Sequence, residues 1–319
     1  MPNFQRDESA SQLNWLAEHL PDAARHARWP ILLAEMELNL HPAISADAIS
    51  FFDAEPVIQW HTYAGHGRSS QAACVNFLMP MADKPGVLSR WVGHVLGITP
   101  PEMLVIEQRA GRDWYMTFEW IGTVDYLGEA GPTGNRGRGA NATAADAALM
   151  FRDDQSKVQL LLIEWKYTEE YRGHRLSPDL KGKRQARYAD ISGNGPIDPR
   201  HGLVLADFLY EPFYQLLRQQ MLAWRIEHDP TSGVDRARVL HLSPGANVHL
   251  HNVTAHKLRP FADDAFHAFS AVLKRPNDFV GHSIEDAFAL LTDWPDADWF
   301  PWLQARYASL CGPSAMKQK

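Results

Sequence analysis

Two apolar runs joined by a short polar turn constrain this chain more than any other feature. Asp146-Ala-Ala-Leu-Met-Phe-Arg152 is followed by Asp153-Asp-Gln-Ser156 and then by Lys157-Val-Gln-Leu-Leu-Leu-Ile-Glu-Trp-Lys166. Runs of branched and aromatic side chains on either side of turn-forming residues predict a β-hairpin. With Asp154, Gln155 and Ser156 as the loop, residue 153 faces 157, and counting outward sets Asp146 directly across from Glu164. Facing positions on paired strands hold their Cβ atoms roughly 4.5–5.5 Å apart. Lys166 lies two residues past Glu164 and therefore shares its face, while Trp165 points the other way, into the core.

Two carboxylates that close repel each other unless a cation lies between them. Mg²⁺ fits such a pair, because it prefers oxygen ligands, keeps several waters and is commonly held by one or two carboxylates together with substrate phosphates. A neighbouring ammonium orients a water or offsets charge on a phosphate. These are the parts of metal-assisted phosphodiester hydrolysis. The bland alternative is an exposed Glu-x-Lys pair at a strand edge. It is disfavoured by Val158, Leu160, Leu161, Leu162 and Ile163, an apolar run that buries the strand carrying the charges.

Asp146 followed by Glu164-Trp165-Lys166 resembles the PD-(D/E)XK nuclease superfamily, the restriction-endonuclease-like fold. The wider string from Ala145 through Lys166-Tyr-Thr-Glu169 is similar to a bacterial branch described as restriction endonucleases, as is Gly65-His-Gly-Arg-Ser-Ser-Gln-Ala-Ala-Cys-Val-Asn76. The close match covers about 100 to 190. The proline that usually precedes the motif aspartate is Ala145 here. Many members carry a glutamate on the first core helix, whereas the helix expected near 70–82 offers Gln71 and Asn76 and no glutamate. The resemblance implies an α/β (α+β) chain with an α-β-β-β-α-β core around a central mixed sheet, flanked by helical N- and C-terminal regions. It implies Asp146 and Glu164 as ligands of Mg²⁺ (with Mn²⁺ able to substitute), completed by the backbone carbonyl of Trp165. Lys166 would position the attacking water, leaving a 5′ phosphate. Duplex DNA is the expected partner, with restriction or host defence as the expected setting and homodimerisation left open. A silent DNA-binding relative and a repair or RNA-processing nuclease are the alternatives.

Composition agrees without deciding. The chain has 319 residues, 45% of them hydrophobic and 22% charged, as ordinary globular proteins do. Cys74 and Cys311 are too few and too distant in sequence for a disulfide framework. Neither a secretory signal nor an apolar run of about 20 residues is evident, so a cytoplasmic location without a membrane span is expected. A net charge of −7 is unusual for a DNA-binding chain, but the charge is unevenly spread. Lys166 to Tyr188 holds seven basic residues against three acids, directly after the motif strand. Arg172, Arg175, Lys181, Lys183, Arg184 and Arg187, with Arg136 and Arg138 upstream, are therefore the expected nucleic-acid contacts, and Arg109 and Arg112 add to the basic count. Acids gather in 262–299.

Along the chain, 1–100 reads as mostly helical (Ser9 to His19, the Ile31–Leu40 run, a helix capped by Ser69 or Ser70, and Val87–Leu96). Residues 101–255 read as the nuclease core. Leu104–Gln108 and Tyr115–Ile121 form a hairpin there, a helix spans Glu211 to Glu227 and a strand spans Arg236–Leu242. Residues 256–319 read as a helical C-terminal region packed on that core. Glu119, on the first core strand, is the expected additional acid. Gln219 and Gln220, with Arg218, sit on the later helix where superfamily members often place a polar residue facing the site, and Gln220, on its core-facing stripe, is the one expected to orient Lys166 or a phosphate. His241, His249, His251 and His256 are a weaker alternative, a hydrolase using Zn²⁺. The glycines at 134, 137 and 139 lack the Lys-Ser/Thr of a phosphate-binding loop.

Overall fold

In the computed structural model, residues 3–131, 133–137, 142–171, 176 and 182–312 are described. Four helices come first: α1 (Phe4–His19), α2 (Pro42–Asp53), α3 (Ser70–Ala82) and α4 (Pro85–Leu96). Ser69 caps α3 by accepting from the Ala72 N–H. The Ile31–Leu40 run is not a regular helix. It is a looped segment ending in a single 3₁₀ turn at Met36–Asn39, and Leu33, Asn39 and Leu40 are its buried anchors.

The strands follow as β1 (Glu102–Leu104), β2 (Glu107–Arg109), β3 (Arg112–Trp114), β4 (Met116–Trp120), β5 (Ala145–Arg152) and β6 (Val158–Trp165). The expected wide hairpin around 109–113 is smaller. β2 and β3 pair about Ala110-Gly111, both at positive φ, which favours a two-residue turn, while β1 pairs instead with the far end of β5. After these come α5 (Lys183–Arg187), α6 (Phe213–Glu227), β7 (Arg236–Ser243), α7 (Ala265–Ala271), β8 (Phe279–Ser283), α8 (Ile284–Phe288), α9 (Phe300–Arg306) and α10 (Ala308–Cys311). Among the described residues the main sheet has six strands in the order β1-β5-β6-β7-β8, with β4 also on β5. Pairing is antiparallel from β4 to β6 and parallel from β6 to β8, so the sheet is mixed. The series α3, β4, β5, β6, α6, β7 reproduces the expected α-β-β-β-α-β core. The edge strand β8 lies within 256–319, where only helices were expected. Its five residues include an exposed glycine and carry little alternation to read.

The β5–β6 hairpin has the anticipated register, from Ala147↔Ile163 to Arg152↔Val158. Asp153 organises the turn, its Oδ1 accepting from the N–H groups of Gln155 and Lys157 at 2.9 Å, and Ser156 takes the positive φ that closes a three-residue loop. Alternation then sorts the side chains. Ala147, Leu149, Phe151, Leu161, Ile163 and Trp165 bury against α2, α3, α4 and α8 on one face. Ala148, Leu160, Leu162, Ala237 and Val239 bury against α6 and α7 on the other. The charges at 146, 164 and 166 belong by period to the second face, under α6.

Candidate active site

One step beyond Ala147↔Ile163, the hairpin brings Asp146 opposite Glu164, and the parallel pair on the far side sets Glu164 beside His241. Asp146 Oδ2 accepts from the Trp165 backbone N–H at 2.7 Å. Glu164 is 2% exposed. Such a carboxylate needs donors, and it has three: Lys166 Nζ at 2.5 Å and Gln215 Nε2 at 2.6 Å on Oε1, and Gln219 Nε2 at 2.8 Å on Oε2. Lys166 continues the parallel ladder past the end of β6, its N–H donating to the Leu242 carbonyl at 2.8 Å. Trp165 turns away into the core against Phe77, with ring centroids 5.2 Å apart.

The helix side chains that reach Glu164 are therefore Gln215 and Gln219, one turn apart on α6. Gln220, the expected glutamine, is buried one position further round, and its Oε1 has no partner among the described residues. Gln215 was not singled out from the sequence, although it shares a helix face with 219 at the i, i+4 spacing.

Glu119 lies on β4, one strand over from Asp146. β4 pairs Phe118 with Ala147 and Trp120 with Ala145, leaving Glu119 between them at φ +49°. The other described non-glycine residues at positive φ, Ala110 and Ser156, sit in turns. This kink inside a strand re-aims a side chain that strict alternation would have sent to the α6 face. The buried Glu119 carboxylate accepts from Gln71 Nε2 at 2.7 Å and lies 3.6 Å from His61 Nε2. The first core helix thus contributes an amide, and the strand beside it contributes the acid.

The electrostatics follow from this crowding. Burial, then the Glu164 charge, holds the Asp146 carboxyl well above the usual carboxylate range, against the pull of Lys166 and of the Trp165 N–H. Burial raises Glu119 too, with Gln71 and His61 opposing. Burial alone would lower Lys166, but Glu164, Tyr171, Asp146 and Glu169 outweigh it and hold the ammonium well above its ordinary value. His241 is buried under Phe266, with ring centroids 4.2 Å apart, and its Nδ1 has no partner among the described residues. Burial and the Lys166 charge keep that imidazole well below its usual pKa, hence neutral.

Among the described residues no three His, Cys, Asp or Glu side chains come together to hold a metal. His251 pairs with Asp264 at 2.8 Å, so the histidines of 241–256 do not assemble as the zinc alternative requires. The donor set at Asp146 and Glu164 fits a hard cation that draws its remaining ligands from water, substrate and backbone. A carboxyl with raised proton affinity beside a second acid is short of positive charge.

The expected basic stripe is only partly described. Arg138, Arg172, Arg175 and Lys181 lie outside the described residues, and Lys183 begins α5. Arg184 stacks over the Tyr214 ring at 5.3 Å, Arg187 donates to the Gly128 carbonyl at 3.0 Å, and Arg136 donates to the Ile121 carbonyl. Arg109 is not a surface charge. It is buried, and its guanidinium donates to the carbonyls of Phe51, Ala54 and Pro56, while Arg112 pairs with Asp47 and Asp83.

A family model described as a restriction endonuclease associating with ARP matches residues 16–308. The chain belongs to this family. No curated protein and no solved structure matches it. Membership in the restriction-endonuclease family supports a nuclease-like role and agrees with the mixed α/β architecture. No described helix is long and apolar enough to cross a membrane.

Proposed function

We propose that this chain is a Mg²⁺-dependent endonuclease of the PD-(D/E)XK type that hydrolyses phosphodiester bonds in DNA. The observation that carries the reading is the facing pair Asp146 and Glu164, with Lys166 on the same face and 2.5 Å from Glu164. Asp146 and Glu164 would hold the cation, with the Trp165 carbonyl beside them. When bound, the ion would supply positive charge to the phosphate and acidity to a water. Lys166 stays protonated, so it acts as a donor and a fixed charge rather than as a base. It holds the attacking water and offsets charge accumulating on the phosphate. Gln215 and Gln219 fix the Glu164 carboxylate, so its geometry is set before substrate arrives. Glu119 adds negative charge next to Asp146 and raises the site's demand for a cation.

The test is incubation of purified protein with supercoiled plasmid, with and without Mg²⁺. Nicking or linearisation that requires the metal and vanishes in Asp146→Ala and Glu164→Ala is the expected outcome. Full activity of both variants on a substrate the parent cuts would remove the assignment.

A further inference from the structure

The segment ahead of α3 is held against the site more firmly than a connecting loop requires. Gln71, itself buried, engages both ends of its amide there: Oε1 accepts from the His61 backbone N–H at 2.8 Å, and Nε2 donates to Glu119 Oε1 at 2.7 Å. Trp60 stacks on the fully buried Phe52, with ring centroids 3.8 Å apart and nearly parallel. These contacts fix the main chain leading into His61. The two members of the His61–Glu119 pair differ sharply in exposure: the Glu119 side chain is 7% exposed and the His61 side chain 55%. The carboxylate is thus committed inward while the imidazole faces open space.

That space is a cleft of about 500 Å³ whose walls include Gln59, His61, Tyr63, Ser69 and Ser70. Tyr63 is 69% exposed, and the Ser70 hydroxyl is buried without a partner among the described residues. Glu119, 3.6 Å from the His61 ring, ties this cleft to the paired carboxylates: it sits on β4 between the partners of Ala145 and Ala147, and its charge acts on Asp146. A wall of imidazole, phenol and hydroxyls suits the sugar–phosphate backbone of a nucleic-acid strand, and exposed aromatic rings stack on bases.

We propose that His61 contacts the nucleic-acid strand beside the scissile phosphate, with Gln71 holding its backbone and Glu119 lying beside its ring at the mouth of this cleft. The proposal rests on the nuclease reading above and makes His61 a substrate-positioning residue. A ring that binds substrate in this way acts on affinity more than on the chemical step.

The experiment compares the full chain with His61→Ala and His61→Gln. It measures binding of a labelled duplex in Ca²⁺, plasmid cleavage in Mg²⁺ and thermal melting. His61→Ala should raise both Kd and KM about ten- to a hundredfold, the value of one hydrogen bond to a charged group, while melting as the parent does. His61→Gln retains an N–H donor and should recover most of the affinity. Parental Kd and KM in His61→Ala would overturn the proposal, as would a loss confined to kcat and melting temperature. A parent that binds duplex but does not cut in Mg²⁺ would defeat the hydrolytic reading, and the Kd comparison would still decide the role of His61. A parent that binds no nucleic acid would end both.

Discussion

Replacing Asp146 with asparagine isolates the repulsion that the site stores without metal. Two unit charges about 5 Å apart at an effective dielectric of about 20 repel by about 3 kcal/mol. Lys166, 2.5 Å from Glu164, cancels part of this, leaving about 1–2 kcal/mol. Asparagine removes the charge and keeps an oxygen for the Trp165 N–H, so the local fold survives. For a chain of this length the gain corresponds to a melting temperature about 2–4 °C above the parent in EDTA. The sign with pH follows from the raised Asp146 pKa. A carboxyl raised in the folded state contributes stability that is complete below its unfolded value, near about 3.9, and is lost as pH rises through the folded value. The advantage of asparagine should therefore be absent near about pH 4 and open as pH rises above it. Saturating Mg²⁺ should stabilise the parent by about 2–3 kcal/mol at roughly 100 times Kd and shift the variant much less. The assay is calorimetric or dye-based melting across pH, with and without Mg²⁺. A variant that melts at or below the parent in EDTA at neutral pH, or that gains as much from Mg²⁺, refutes the reasoning.

Lys166→Met should lose cleavage by orders of magnitude yet still bind duplex in Ca²⁺, checked by single-turnover kinetics beside anisotropy; equal loss of both would contradict a role in the chemical step. Gln215→Ala with Gln219→Ala should raise the Mg²⁺ concentration for half-maximal activity about tenfold, because Glu164 loses two of its donors, while Gln220→Ala should change it little. A metal titration of the two variants decides this, and the reverse ranking would return the role to Gln220. Neutralising Lys181, Lys183 and Arg184 together should weaken binding and reduce the log–log salt slope by about one unit for each phosphate that is no longer neutralised. An unchanged slope would mark that stretch as a solvated face.

The parts of the site governed by strand period were legible in the sequence. A two-residue alternation and a countable turn place Asp146, Glu164 and Lys166 together before any coordinates exist, and send Trp165 to the opposite face. The hairpin register and the order of helix, strands, helix and strand followed from the same local signals. What escaped depended on tertiary choices. Gln215 and Gln220 both lie on the inward side of one helix, and only the rotation of α6 on the sheet decides which reaches Glu164. The kink at Glu119 breaks the alternation used to place it, so its turn toward Gln71 and His61 could not be counted out. Arg109 carries a charge that composition assigns to the surface, whereas four carbonyls at and just beyond the α2 end capture it inside.

The turn of the β5–β6 hairpin has a consequence out of proportion to its position. Asp153 lies seven positions beyond Asp146, about 23 Å along an extended strand. The length of a surface loop therefore sets, from the far end of the ribbon, which acid faces Glu164. β6 is held in register by β7, with Glu164 beside His241, and β5 by β4, so a residue gained or lost between Asp154 and Ser156 is either taken up in the loop or makes β5 slide or bulge. A one-residue slide would turn Asp146 to the Trp165 face and carry Leu149 and Phe151 out of their layer. A change in the length of this exposed loop leaves the 146–164 pairing in place only where the loop itself takes up the extra residue.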